Sequence, residues 1–290
     1  MAWASRNGIK EHYYRSRIAR IVPAYLVMGI ITLPFLAEYD FTHTTTYLLL
    51  FITTTQSWFP GSFSQWNFGG SWSVSTEMFF YVVFPFVLPL VQKKPIAVLI
   101  IAILISSLII PISMILTNSP AFPHYYVSPI HRLPEFISGV ALGCIFAQGL
   151  RIKKLQISLL VFAITLLLFL SPINNNGWMQ NNYVTLPATC ILIYCLASAS
   201  ISKNILTMPL IYLGKISYSF YLMQLPIMIY ITKYHDTLSS LPTWLIWSIL
   251  AAINLAMASA CYHFVEDNKK IKRFIMMACQ RRKSSATELD

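Results

Sequence analysis

The sequence predicts an all-α fold: a polytopic transmembrane helix bundle of about eight spans, with one further helix that is re-entrant or interfacial. Three observations predict it. Hydrophobic residues make up 56% of the 290-residue chain and charged residues only 11%, too little polar surface to wrap a water-soluble globule. Apolar runs of about 17 to 22 residues recur between short polar breaks, the length a helix needs to cross roughly 30 Å of hydrocarbon. Lipid offers the backbone no hydrogen-bond partner, so runs of this length must be helical.

Taken in order, the predicted spans are Ile21–Ala37, Trp72–Val91, Ile96–Leu116, Leu133–Gln148, Leu155–Leu170, Val184–Ile201, Leu210–Ile231 and Trp244–Val265. The stretch Tyr47–Phe59 is shorter and carries a polar TTTQ insert, so it reads either as a ninth span or as a re-entrant or interfacial helix. Charge chooses between these. With Tyr47–Phe59 not spanning, 18 of the 21 Lys and Arg residues fall on one side, in the segments around Arg6–Arg20, Lys93–Lys94, Arg151–Lys154, Lys203 and Lys269–Lys283. The positive-inside rule then gives eight spans with both termini cytoplasmic. The net charge of +11 follows from topology and anionic lipid, and nucleic acid is not an expected partner.

A cleavable signal peptide is not expected, because about twenty polar and basic residues precede the first apolar run. The five cysteines are odd in number, mostly lie inside apolar runs and lack metal-ligand spacing, so they read as small core residues and no metal site is expected. One membrane domain is predicted over residues 1–268, followed by a basic cytoplasmic tail over 269–290.

Function is expected where polarity enters lipid at a cost. Of ten Asp and Glu residues, only Glu77 and Glu135 fall within the predicted spans. Helical spacing puts Ser73, Glu77 and Tyr81 on one face. Arg132 precedes Glu135 by three residues, so the two can neutralise each other, either as an interfacial salt bridge or as part of a site. Ser217, Tyr221 and Gln224 form a polar stripe, with Tyr218 beside it; such groups serve helix–helix hydrogen bonding as readily as a substrate. Arg17 and Arg20 put two guanidinium groups on one face at the cytoplasmic edge. They suit either a positive-inside anchor or the phosphates of a cytosolic cofactor.

Five segments in order resemble the acyltransferase-3 family of bacterial membrane O-acyltransferases: RSRIARIVPAYL from Arg15, GGSWSVSTEMFFYVVFP from Gly69, RLPEFISGVALG from Arg132, LGKISYSFYLMQLP from Leu213 and FVEDNKKIK from Phe264. The resemblance implies a multi-pass enzyme of the bacterial cytoplasmic (inner) membrane that moves an acyl group, commonly acetyl from acetyl-CoA, to a hydroxyl of a surface carbohydrate or lipid-linked glycan. It implies that Arg17 and Arg20 hold the CoA phosphates. Its motif matches fall on Trp72, Ser73 and Glu77 and on Arg132, Pro134, Glu135 and Phe136, which puts Glu77, Arg132 and Glu135 in the catalytic region near an acceptor; Tyr81 and the stripe residues Ser217, Tyr218, Tyr221 and Gln224 are the further candidate substrate contacts.

The departures bear on catalysis. Such enzymes usually have ten spans, the first carrying a histidine expected to act as general base, and nothing here matches that first pair of helices. None of the six histidines lies in the middle of a predicted span. Gln224 stands where the family often has His, and Met78 follows Glu77 where an acidic residue is common. A positioned base is worth about 10² to 10⁴ in rate. Glu77 and His131 are the substitutes the chain offers, and the alternatives are a truncated or inactive relative, or a transporter or flippase of lipid-linked sugars.

Overall fold

The computed structural model describes residues 13–120, 122–149, 160–161, 182–198, 205, 207–234, 242–275 and 277. Its elements are α1 (Tyr13–Leu36), α2 (Phe41–Thr53), α3 (Phe68–Lys93), α4 (Pro95–Thr117), the single turn α5 (His124–Val127), α6 (Pro129–Ala147), α7 (Asn182–Ser198), α8 (Thr207–Lys233) and α9 (Thr243–Cys261), which continues into a π-helical turn (Tyr262–Glu266). Two single 3₁₀ turns, Gln56–Trp58 and Pro60–Ser62, follow α2. Among the described residues there is no strand, as the sequence predicts.

Among the described residues, five helical segments are long and apolar enough to cross a membrane: α1, α3, α4, α6, and α9 with its π turn. The expected span Leu155–Leu170 lies, except for residues 160–161, outside the described residues. Helix α7 is apolar but has only 17 residues. Helix α8 is 27 residues long; Lys215, Ser217, Tyr218, Ser219 and Gln224 dilute its apolar character, while Leu210, Leu213, Met228 and Tyr230 stay exposed along it. The outward faces of the apolar helices carry exposed Ile100, Ile101, Leu104 and Leu108 on α4, and Trp244 and Trp247 on α9. In water these would form aggregation-prone patches, whereas in a bilayer they meet acyl chains.

Helix α1 is already helical at Tyr13, eight residues before the predicted span. Arg and Ser residues in the intervening turns are compatible with helix, and their charges can sit at the membrane edge. The short apolar stretch also shifts. It forms α2, whose start is fixed by Asp40 accepting a hydrogen bond from the Thr42 amide at 3.2 Å. Its end is fixed by Thr54 in the left-handed region at φ 54°. Thirteen residues make a helix about 20 Å long, too short to span.

The chain divides into two compact units. The first takes its described residues from Thr55–Phe63 and Ser75–Ile201, the second from Lys10–Thr54, Ser64–Val74 and Ser202–Asp290. In the first, α4 packs against α6 and α7. Leu142, Ile145, Cys190 and Tyr194 form a buried cluster there, and Phe80 of α3 stacks on Phe136 of α6 with ring centres 4.7 Å apart. These contacts are van der Waals packing and ring stacking, which hold helices together where no water remains to be expelled.

In the second unit, α8 packs against α1 and α9, and the π turn returns onto α1. Helix α2 sits on α1 because Gly29 lets the Phe51 ring approach; a Cβ there would come within 2.3 Å of it. Tyr25 stacks on the same ring at 4.1 Å and donates its hydroxyl to the Phe51 carbonyl at 3.0 Å. A second close approach occurs at Gly70, where a Cβ would lie 1.7 Å from Leu225 of α8. The segment before α3 is anchored by a polar hub on α1. Trp66 Nε1 donates to the Thr32 carbonyl (2.9 Å), Asn67 Nδ2 donates to Thr32 Oγ1 (2.9 Å), and Ser71 donates to Asn67 Oδ1 (3.1 Å). Buried polar groups in this medium need such partners.

Candidate functional site

In the second unit a cavity of about 520 Å³ is lined by Ser16 and Arg20 from α1, Lys215 from α8, and Glu266, Asp267 and Lys272 at and beyond the end of α9. The sequence positions these groups in three ways. Arg20 stands one helical turn after Ser16 on α1, so both reach the same side. Lys215 is near the start of α8. The π turn carries an extra residue per hydrogen-bonded ring, closed by the Asp267 amide donating to the Tyr262 carbonyl at 2.7 Å. That extra residue rotates Glu266 inward, where it is only 5% exposed and accepts a hydrogen bond from the buried Ser219 hydroxyl at 2.7 Å.

The cavity thus presents three cations and two carboxylates. Lys272 Nζ donates to Asp267 Oδ1 at 2.8 Å, and this hydrogen bond holds the Asp267 carboxyl below its usual range. Arg17, the other half of the predicted arginine pair, is partly buried one turn earlier than Arg20. Its guanidinium carbon lies 5.8 Å from the centre of the Tyr13 ring, and it is not among the residues lining the cavity.

The polar stripe of α8 is divided in use. Tyr221 accepts a hydrogen bond from Ser73 at 2.8 Å and donates its own to the Gly70 carbonyl, tying α8 to the start of α3. Tyr218 donates to the Ile21 carbonyl at 3.0 Å, fixing α8 to α1. Ser217 is exposed and bonds to the Gly214 carbonyl of its own helix at 3.0 Å. Trp72 and Gln224 are half-buried.

In the first unit Glu77, partly buried about two and a half turns into α3, accepts a hydrogen bond from the Tyr81 hydroxyl one turn on. The Arg132–Glu135 pair forms, with guanidinium nitrogen and carboxylate oxygen 2.7 Å apart. Arg132 is held by more than its partner. Its Nε donates to the Tyr126 carbonyl at 2.8 Å, and its guanidinium lies over the Tyr126 ring at 4.5 Å. His131 has Ser113 Oγ 3.1 Å from Nε2 and Ser128 Oγ 2.9 Å from Nδ1, so both ring nitrogens face serine hydroxyls.

Comparison with protein families matches residues 5–263 to an acyltransferase domain of the acyltransferase-3 type. The chain belongs to the acyltransferase-3 family. Among curated proteins it is similar to the O-acetyltransferase OatA of Staphylococcus aureus strain MRSA252, 29% identical over 232 residues that cover 74% of this chain and 38% of that protein. It is likewise similar to OatA of strain NCTC 8325 / PS 47, 29% identical over 221 residues covering 70% and 36%. The chain thus spans well under half the length of the curated relatives it matches. No solved structure matches it.

As an acyltransferase-3 chain it brings together parts of three of the five segments that suggested the family: Arg20 from the first, Lys215 from the fourth, and Glu266, Asp267 and Lys272 from the last. Of these residues the sequence already points to Arg20; Lys215, Ser219, Glu266, Asp267 and Lys272 join the site only through the fold. Glu77 and Glu135 are the carboxylates within the predicted spans. Glu266 is a third, buried at the end of the segment Thr243–Glu266. It had fallen one residue beyond the predicted run. The signal lay in a carboxylate pair directly after an apolar run in a family-like segment rich in lysine.

Proposed function

We propose that this acyltransferase-3 chain is a membrane O-acyltransferase that takes an acyl group, acetyl in the simplest case, from acyl-CoA and places it on a hydroxyl of a cell-surface carbohydrate or lipid-linked glycan. The observation that carries the reading is the cationic cavity of the second unit. A helix edge, a lysine from α8 and the end of α9 converge there on a space large enough for a phosphorylated ligand. Arg20, Lys215 and Lys272 supply the charge for the CoA phosphates, Arg20 through a guanidinium fork suited to phosphate oxygens. Arg17 supports this edge from the neighbouring turn. In this reading the chain lies in a bacterial cytoplasmic membrane with the cavity on the cytoplasmic side, where CoA is found, and with both termini on that side.

The acceptor chemistry is assigned to the first unit. The acceptor oxygen attacks the thioester carbonyl, its proton must leave, and the C–S bond breaks to release CoA as the thiol. Glu77, which accepts a hydrogen bond from Tyr81, takes that proton and returns it to the departing thiolate. Arg132, rigidly held, and Glu135 orient the acceptor hydroxyls. Ser73 and the α8 residue Tyr221 fix the start of α3 for this purpose, with Trp72 and Gln224 as further acceptor-contacting candidates.

The test is release of free CoA thiol, and transfer of radiolabel from acetyl-CoA, by membranes containing the full chain with a glycolipid fraction. The reading predicts label in the glycolipid and stoichiometric thiol. A chain that moves glycolipid across vesicles without consuming acetyl-CoA would be a transporter instead.

A further inference from the structure

We propose that Glu266 is the internal counter-anion of the donor cavity, limiting how tightly the cavity keeps free CoA and so allowing the spent donor to leave. This inference rests on the acyl-CoA reading of the same cavity. Five charged side chains line it: Arg20 from α1, Lys215 from α8, and Glu266, Asp267 and Lys272 from the end of α9 and the residues after it. Asp267 is paired with Lys272 at 2.8 Å. Glu266 differs from it in being 5% exposed and held from behind by the Ser219 hydroxyl at 2.7 Å.

A carboxylate in the wall of a site for a polyanion repels that ligand, and it does so more strongly when buried, where solvent screens it less. The fold nevertheless builds it in. The π turn over Tyr262–Glu266 is an uncommon geometry that recurs at functional sites, and it is what turns this side chain into the cavity wall. Without Glu266 the cavity would carry three cations against one acid and would hold CoA, a polyanion, more firmly. With it, a fixed negative charge in the wall offsets part of that attraction, so binding is moderated and release is quick.

Glu266→Gln removes the charge and keeps an oxygen to accept from Ser219. In the purified full chain, the affinity for free coenzyme A is expected to rise about tenfold, the scale of one partly screened charge. Turnover at saturating acetyl-CoA should fall severalfold, with stronger inhibition by added CoA. Glu266→Asp, which keeps the charge, should stay within about twofold of the parent in CoA affinity. A purely structural role for Glu266 would weaken binding in both variants and cannot tighten it. Unchanged or weaker CoA binding in a normally eluting Glu266→Gln protein would overturn the proposal. Failure of the parent chain to bind CoA at all would instead overturn the donor reading on which it stands.

Discussion

Replacing Arg20 by alanine is expected to raise the KM for acetyl-CoA by about 10- to 100-fold while changing kcat less than about threefold. The range follows from charge-assisted hydrogen bonds to an ionised group, each worth roughly 1.5 to 3 kcal/mol. Arg20 is exposed at the cavity edge, and Glu266 keeps its hydrogen bond from Ser219 without it, so the fold should survive. Arg20→Lys should recover only part of the affinity, because a point charge lacks the planar fork. Arg17→Ala should cost only a fewfold, since its guanidinium lies against Tyr13 and not in the cavity lining. Substrate-dependence curves at two ionic strengths check this, with the Arg20→Ala defect shrinking at high salt as the parent's own affinity falls.

The second large effect is expected at Arg132. Its side chain is 14% exposed and is fixed at once by Glu135, by the Tyr126 carbonyl and by the Tyr126 ring. Arg132→Ala strands Glu135 near the membrane and is expected to cost about 2 kcal/mol of stability, together with nearly all transfer activity. Arg132→Lys separates the two losses. It keeps the charge but cannot reproduce three simultaneous contacts, so thermal stability in detergent should largely return while turnover stays at least tenfold down and the KM for acetyl-CoA stays near that of the parent. Equal recovery of stability and turnover would make the pair a membrane-edge salt bridge and nothing more.

Five of the eight predicted spans were legible in the sequence, because hydrophobic length is a direct record of bilayer thickness. The Arg132–Glu135 pair was legible because an i, i+3 pair needs nothing beyond its own helix. Partners distant in sequence were not. The Thr32 hub joins residues 34 and 35 positions apart, and the seat of α2 depends on a glycine, Gly29, whose value appears only when Phe51 lies against it. Ser73 and Tyr221 each stood out as polar groups in apolar runs, yet their bond spans 148 positions.

Glu266 was hidden for a more local reason. A span read by hydropathy stops at the first charge, and regular α periodicity does not anticipate a π turn that points the next side chain inward. The cavity therefore emerged from the fold, although three of the segments that build it were already conspicuous in the chain.

If acyl-CoA occupies this cavity, an analogue of it should mark the cavity's own residues. The most direct measurement is photo-cross-linking of the full chain in lipid vesicles with an azido-adenine analogue of coenzyme A, followed by mapping of the labelled peptides. Label displaced by acetyl-CoA and concentrated in the peptides carrying Ser16–Arg20, Gly214–Lys215 and Tyr262–Lys272 is the predicted result. Displaceable label confined to the peptides of α4, α6 and α7 would contradict it.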